Sequence, residues 1–384
     1  MPQLTVRVPS RSQSYDIKIG SRLLQTLGSE VRAAVGSGAR RTALITNETV
    51  FKLYGDRATQ SLKRAGLSVN RWLMPDGEKH KSFRSLERAV AFLSDAGLER
   101  GDVVVALGGG VVGDVAGFAA SIYLRGIAFV QVPTTLLAQI DSSVGGKTGI
   151  NLPSGKNRVG AFHQPRLVVI DIDTLQTLPQ RELTSGFCEM IKQGAVGDRK
   201  LFNRTVRLLS RRGSALANGN PHGPSLPDLG AAIAAHCRFK AKIVAGDERE
   251  AINRTDSRSR RILNFGHTTA HALEKVTNYQ HFRHGEAVGY GILVAGELSK
   301  SLGRLPADAL ESLREAVKLC GPLPRADGLS AAKLVAAMTA DKKAVEGKLK
   351  WVLLDDIGRP RIVDSDEIKP ETIRGALATG LAKL

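Results

Sequence analysis

Four of the chain's eight histidines, His267, His271, His281 and His284, fall within 18 residues. His267 and His271 are spaced i, i+4, which puts both on one face of a helix that Asn264 is expected to begin. His284 opens the next helical stretch and is followed at once by Gly285 and Glu286. Two imidazoles and one carboxylate around an open fourth position make a catalytic zinc site. Spacing leaves the carboxylate open among Glu286, Glu274 and the more distant Glu189. The last lies in SGFCEMIK, an otherwise apolar helix start, where a buried carboxylate needs a cation or a metal. Lys192, one turn on, is an equal claimant for it. A bare HxxxH pair is as often an ordinary core or surface pair as a pair of ligands.

A second site is written in VVVALGGGVVGDVAGFAA, where Gly108, Gly110 and Gly113 stand in GxGxxG spacing after a strand and before a helix. Amides at such a helix start cradle a pyrophosphate, although a tight strand–helix turn also calls for glycine. The next strand ends at Pro133-Thr134-Thr135 with no acid to hold a ribose, so a dinucleotide here needs other contacts; Asp114, Thr134 and Thr135 are the local polar groups. Between Val132 and Leu167 runs a long segment rich in Gly and Ser, with Lys147, Lys156 and Asn157. Glycine beside lysine suits an anion, and a loop of this length is more often functional than not. GGKT is not the end of a P-loop, because Asp141 stands where the first glycine is required.

These residues need a scaffold. The 384 residues suit two domains, and 42% hydrophobic with 24% charged residues suits globular cores. Strand and helix signals alternate in the first half, predicting an α/β domain at 1–178 with a mostly parallel, Rossmann-like sheet covered by helices. Long 3.6-periodic segments then predict a mainly α-helical domain at 179–384, with a surface loop at 212–227. The net charge of +18 is local in part: Arg199 to Arg212 holds six basic residues and no acid, which reads as a solvated helix face. Aromatics at 5% weigh against base-stacking surfaces, so no specific nucleic acid is expected. Cys188, Cys237 and Cys320 read as thiols of a reducing compartment. With no apolar h-region at the start and no bilayer-length apolar run, no membrane partner and a cytoplasmic location are expected.

The chain resembles the 3-dehydroquinate synthase family in PDGEKHKS (75–82), GGGVVGDVAGFAA (108–120), Y-L-R-G (123–126) and PTTLLAQIDSSVGGKTGIN (133–151). The likeness continues through GKN (155–157), DTLQTLP (173–179), RELTSGFCEMIK (181–192), LNFGHTTAHALE (263–274) and HGEAVGYG (284–291). Order and spacing match over nearly the whole chain, and DSSVGGKTGIN with LNFGHTxxHA is highly specific.

The resemblance implies a lyase of the shikimate pathway. It would convert 3-deoxy-D-arabino-heptulosonate 7-phosphate to 3-dehydroquinate and phosphate by transient NAD oxidation, β-elimination, re-reduction, ring opening and aldol closure. A homodimer is implied, with NAD and one divalent metal, zinc or cobalt. Carried over by motif, the metal ligands are Glu189, His267 and His284, and His271 is a hydrogen-bonding or proton-handling group. NAD contacts fall on Asn47, on Asp76, Gly77, Glu78, Lys79, His80 and Lys81, and on Gly110, Val111, Val112, Gly113 and Asp114. They continue at Thr134, Thr135, Thr174, Leu175, Gln176 and Thr177, with Lys147 and Lys156 between cofactor and substrate. Substrate anions fall to Arg125, Lys156, Asn157, Lys192, Arg260, Asn264 and one of Lys342 or Lys343, and substrate hydroxyls to Asp141.

Three features depart from the family pattern. The stretch AINRTDSRSRR is longer than usual, which leaves Arg260 or Arg261 as the anion contact; Ala270 replaces a common glycine, and the 212–227 segment is enlarged. The alternatives are a related sugar-phosphate cyclase of secondary metabolism and a metal-dependent polyol dehydrogenase.

Overall fold

The computed structural model describes residues 3–9, 14–217, 225–251, 253–326, 328–343 and 349–382, with side chains at 213–217 and 340–343 excepted. The chain divides into two compact units. One comprises residues 1–178 with Lys240–Ala245, the other Pro179–Phe239 with Gly246–Leu384.

The first unit is built on a seven-stranded sheet. In chain order its elements are β1 (Leu4–Val8), β2 (Tyr15–Gly20), α1 (Leu27–Val35), β3 (Arg41–Asn47), α2 (Glu48–Val50), a π-turn at Phe51–Gly55, α3 (Asp56–Arg64), β4 (Ser68–Met74), α4 (Phe83–Asp95), β5 (Val103–Gly108), α5 (Gly110–Ile122) and β6 (Ala128–Pro133). The hairpin strands β7 (Lys147–Leu152) and β8 (Gly155–Phe162) follow, then β9 (Leu167–Asp171). Sheet order is β1-β2-β9-β6-β5-β3-β4. Only β1–β2 is antiparallel; every other neighbouring pair runs parallel. All six residues of β5, VVVALG, are buried, as a central strand covered on both faces requires. Its alternation divides the core: Val104 and Ala106 pack with Leu86, Val115, Phe118 and Ile150, while Val103, Val105 and Leu107 pack with Leu27, Leu62 and Val132. The predicted mostly parallel α/β sheet with helices on both faces is what forms.

The segment expected to be a loop between β6 and β9 is structured. It contains a π-turn at Ala138–Ser142 and the antiparallel β7–β8 hairpin. A Cβ at Gly160 would stand 2.0 Å from the Thr148 carbonyl oxygen. Glycines demanded by close strand approach interrupt the period-two pattern, and a pattern reading therefore sees a loop.

The second unit holds α6 (Gln180–Gly197), α7 (Arg199–Ala217), α8 (Leu226–Gly246), α9 (His267–Val276), α10 (His284–Ser301), α11 (Ala307–Leu319), α12 (Ala331–Lys343), the hairpin β10 (Lys350–Asp356) and β11 (Arg359–Asp364), and α13 (Pro370–Ala382). Within α8, the segment Lys240–Ala245 groups with the first unit. Helix α10 is buried from Gly285 to Ser299 and packs against α6, α9, α11 and α13, so it is apolar nearly all round rather than striped.

Two boundaries and one helix differ from expectation. Asn264 closes a 3-10 turn, Arg260–Asn264, and α9 begins at His267 after Gly266 in the left-handed region. Helix α7 runs on to Ala217, into the expected loop, whose residues 218–224 lie outside the described set. Helix α13 was not anticipated, because its small residues (Gly375, Ala376, Ala378, Gly380) give little apolar contrast; Gly380 instead permits close contact with Val294 of α10.

Candidate functional site

In the first unit the predicted nucleotide residues follow the carboxyl ends of five parallel strands. Asn47 ends β3, Asp76–Lys81 follow β4, Gly110–Asp114 follow β5, Thr134 and Thr135 follow β6, and Thr174–Thr177 follow β9. The connection from β4 to β5 passes over β3, so the glycine loop sits where the strand order reverses. Open α/β sheets bind ligands at that place.

Helix α5 starts at Gly110, and no side chain caps it. Its first amides are left for an anion. A Cβ at Gly113 would stand 2.4 Å from Gln131 Oε1, so the third glycine of the motif serves helix–sheet packing.

Around this edge the polar groups are linked. Asn47 Nδ2 donates to Asp76 Oδ1 at 3.0 Å, while Asn47 Oδ1 caps α2. Lys81, 5% exposed, lies 2.5 Å from Asp114 Oδ2 and also donates to Asn157 Oδ1. Burial pushes the Asp114 carboxyl up, and the Lys81 ammonium opposes that shift. Asn157 itself has a left-handed backbone (φ 53°), stabilised by its N–H donating to Asn151 Oδ1. Lys156 Nζ is 3.7 Å from Glu78 Oε1. Lys147 begins β7 and is exposed. Thr174 is buried and receives a hydrogen bond from Gln139, and the Tyr54 hydroxyl bonds both Thr174 O and Thr177. Leu175 is buried and Gln176 exposed.

Asp141 is met by a residue the sequence reading passed over. Lys240, 6% exposed, places Nζ 2.7 Å from Asp141 Oδ1 and 2.6 Å from its carbonyl oxygen. The signal was present: Ile233, Cys237, Lys240 and Val244 fall at i, i+4, i+7 and i+11, which sets a lysine in an apolar helical stripe.

Arg125 is not gathered with these residues. It lies before β6, at the amino end of the sheet, about one strand length (~20 Å) from the glycine loop. There it shares a pocket of about 520 Å³ with Arg100, His163 and Arg166. Leu124, Arg125 and Gly126 all have positive φ (49°, 67° and 116°).

In the second unit three helices bring the predicted metal ligands together. Glu189 is in α6, His267 opens α9 and His284 opens α10; one donor atom from each lies within 4.8 Å of the others. Two close backbone approaches lock this arrangement. A Cβ at Gly285 would stand 1.9 Å from the Ser185 carbonyl oxygen, which joins α10 to α6. A Cβ at Gly291 would stand 2.0 Å from the Gly266 carbonyl oxygen, which joins α10 to the start of α9.

Glu189 Oε1 is 3.6 Å from His284 Nε2 and 3.9 Å from His267 Nε2. A tetrahedral ion with bonds of about 2.0–2.2 Å sets its ligand atoms roughly 3.3–3.6 Å apart, so a few tenths of an ångström of contraction would seat one. His267 Nδ1 faces the Phe265 carbonyl oxygen at 3.3 Å, which points Nε2 at the carboxylate. Burial, then the nearby Lys192, His284 and His271, hold the His267 pKa well below the usual imidazole range. A neutral imidazole is the form that binds metal.

Both oxygens of Glu189 are buried without a hydrogen-bond partner among the described residues. The Lys192 ammonium is 2.6 Å from Oε2, yet this contact has ion-pair distance without hydrogen-bond geometry. A buried carboxylate so arranged keeps lone pairs for a cation. The donor set therefore fits a divalent metal.

The other carboxylates are occupied differently. Glu286, fully buried, takes two hydrogen bonds from Arg181 (2.8 and 2.6 Å) and one from the Arg283 amide. Glu274 Oε2 is 3.3 Å from His284 Nδ1. His271 is exposed, with its ring centroid 5.5 Å from that of His267 and 6.0 Å from that of His284. His281 faces the Arg325 carbonyl oxygen and stands apart. Arg260 is 3% exposed and donates to the Glu248 carbonyl oxygen, Arg261 is half-buried, and Asn264 is exposed. The side chains of Lys342 and Lys343 lie outside the described residues. No helix among the described residues is long and apolar enough to cross a membrane.

Comparison with known proteins places these two sites in context. Residues 71–185 match the family described as 3-dehydroquinate synthase N-terminal, and residues 186–344 match 3-dehydroquinate synthase C-terminal. A 3-dehydroquinate synthase of Pelotomaculum thermopropionicum is 46% identical over 356 residues, 92% of this chain and 91% of that protein. Among solved structures, ValA, the 2-epi-5-epi-valiolone synthase of Streptomyces hygroscopicus subsp. jinggangensis with NAD+ and Zn2+ bound, is similar at TM-score 0.84 and 26% identity, covering 98% of this chain and 99% of that one. A 2-deoxy-scyllo-inosose synthase complexed with carbaglucose-6-phosphate, NAD+ and Co2+ shares the fold at TM-score 0.84 and 23% identity, covering 98% of this chain and 100% of that one.

Proposed function

From the premise that the chain belongs to the 3-dehydroquinate synthase family, we propose how its own residues serve that activity. The reaction is the conversion of 3-deoxy-D-arabino-heptulosonate 7-phosphate to 3-dehydroquinate and phosphate. The observation that carries the reading is the buried, hydrogen-bond-free carboxylate of Glu189 facing the Nε2 atoms of His267 and His284. When bound, NAD supplies a hydride acceptor that is restored each turnover, and a divalent zinc or cobalt ion supplies Lewis acidity at a substrate hydroxyl.

Glu189, His267 and His284 are the metal ligands in this reading. The carboxyl edge of the sheet would hold NAD. The uncapped start of α5 at Gly110–Gly113 would take its pyrophosphate, and Asn47, Asp76–Lys81, Thr134, Thr135 and Thr174–Thr177 would supply the remaining contacts. Lys81 donates to both Asp114 and Asn157, so one ammonium ties together both walls of this edge.

For the substrate, the first unit offers Lys147, Lys156 and Asn157 to anions and Asp141, steadied by Lys240, to hydroxyls. The second unit offers Lys192, Arg260 and Asn264. The His271 imidazole is exposed on the α9 face beside both histidine ligands and moves protons there. Arg125, at the opposite end of the sheet, is left out of the cofactor-edge set. The reading includes a cytoplasmic homodimer.

The alternatives are less well supported. The curated relative at 46% identity is a 3-dehydroquinate synthase, whereas the epi-valiolone synthase stands at 26%. A polyol dehydrogenase has no use for Lys192, held against a metal-ligand carboxylate, as an anion contact. The test is phosphate release from the heptulosonate phosphate by purified protein, with and without NAD+ and after chelation. Release that needs both, without net NADH, supports the reading. Turnover of a heptulose phosphate lacking the carboxylate, with none of the heptulosonate, would sink it.

A further inference from the structure

His267, His271 and Glu274 fall at i, i+4 and i+7, one face of α9, and all three approach His284 at the start of α10. The two nitrogens of His284 look in different directions. Nε2 is 3.6 Å from Glu189 Oε1, and Nδ1 is 3.3 Å from Glu274 Oε2. Glu274 is 2% exposed, which is costly for a carboxylate without an assigned task. Its partner is the ring that must present a lone pair to an ion. A metal-binding imidazole whose other nitrogen donates to a carboxylate is fixed in both tautomer and rotation.

We propose that Glu274 is the positioning residue of the metal centre. Its carboxylate accepts the Nδ1 proton of His284, so that Nε2 keeps its lone pair and faces Glu189 and His267. Glu274 never touches the ion or the substrate. It acts through His284, as the Phe265 carbonyl acts through His267 Nδ1 at the same 3.3 Å. The two histidine ligands are thus oriented by unlike acceptors, one a backbone carbonyl and one a carboxylate. This inference rests on the assignment of Glu189, His267 and His284 as ligands. The rival use of the same atoms is a second ion held by His271, Glu274 and His284, whose donors also lie within 4.8 Å of one another. Such an ion would require His284 to lose both ring protons, and the hydrogen bond does not.

The test is zinc and cobalt titration of the full-length apoprotein, with stoichiometry, dissociation constant and the cobalt visible spectrum as readouts. Wild type is expected to bind one ion per chain. Glu274→Ala should bind it about 10- to 100-fold more weakly, with an altered cobalt spectrum because the His284 ring is free to rotate. Glu274→Gln, whose amide oxygen still accepts from Nδ1–H, should recover most of the affinity. Glu274→Met fills the same volume without an acceptor and carries the test should the alanine variant not fold. Unchanged affinity and spectrum in Glu274→Ala or Glu274→Met would overturn the proposal. So would two ions per wild-type chain with only the second lost in Glu274→Ala. A wild-type chain that binds no ion removes the ligand assignment itself, a failure distinct from that of Glu274 alone.

Discussion

Lys192 Nζ lies 2.6 Å from Glu189 Oε2, and both side chains are 1% exposed. Each charge is therefore the other's main compensation in the metal-free protein. Lys192→Met should destabilise the apoprotein by about 3–5 kcal/mol, the cost of leaving one member of a buried pair alone. Added zinc should restore much of that loss, because an ion at Glu189 replaces the missing ammonium. Urea unfolding of both proteins, with chelator and with zinc, measures this. Equal destabilisation in both conditions would separate Glu189 from the metal.

The histidines on α9 should behave differently although they are one helical turn apart. His267→Ala and Glu189→Ala should each lose the metal on gel filtration and lose activity with it. His271→Ala should retain the metal and lower kcat by about 10²- to 10⁴-fold, the usual range for a proton-handling group. Metal analysis beside steady-state kinetics distinguishes the cases. Metal loss in His271→Ala would return the i, i+4 pair to candidacy as joint ligands.

Removing Lys81 should loosen the cofactor edge. Lys81→Met leaves Asp114 buried without its ammonium and frees Asn157 from its second tie. Charged hydrogen bonds of this kind are worth about 1.5–3 kcal/mol, so NAD+ should bind roughly 10- to 100-fold more weakly, while metal content stays unchanged. Isothermal titration with NAD+ and metal analysis of the same sample decide it.

Acid should weaken the second unit through His236. This residue is fully buried between Gln193 Oε1 and Thr205 Oγ1, each 3.0 Å from a ring nitrogen, and burial pushes its pKa from 6.5 down to about 3. The unfolded chain takes up a proton below about pH 6.5, and the folded chain does so only near 3. The stability it contributes is complete above pH 6.5 and falls as the pH drops towards 3, by about 1.4 kcal/mol per unit at the steepest. Urea unfolding between pH 4.5 and 7 should show a flatter dependence for His236→Gln than for wild type.

Much of this molecule was legible because its signals were local. Residues 103–108 are an unbroken apolar run followed by glycines, and they form the buried central strand with the glycine loop behind it. Crowding made four histidines stand out, and the resemblance chose His267 and His284 among them. Their carboxylate did not stand out, since Glu189 is 78 residues before His267 and only helix packing brings α6 to α9. The β7–β8 hairpin was hidden for the opposite reason: its glycines answer to the facing strand, which a one-dimensional pattern does not contain. Lys240 went unremarked because a lysine in an apolar stripe is ordinarily read as a side chain reaching for water. Here it ends on Asp141. Arg125 was legible as a motif member, and its place at the amino end of the sheet follows from chain direction, because α5 carries the chain back along the length of β5.

The contact of Gly285 with the Ser185 carbonyl has a consequence for mutational surveys of this chain. Neither residue belongs to the donor cluster, yet each flanks one that does, Gly285 beside His284 and Ser185 one turn before Glu189. A single methyl group at 285 must separate the two helices. Such a variant would be scored as a folding defect by its position and as a cofactor defect by its behaviour, while every donor atom remained intact. Sensitivity to substitution would then peak at a residue that contributes no chemistry, and a map of functional residues drawn from that survey would mark a spacing as though it were a ligand.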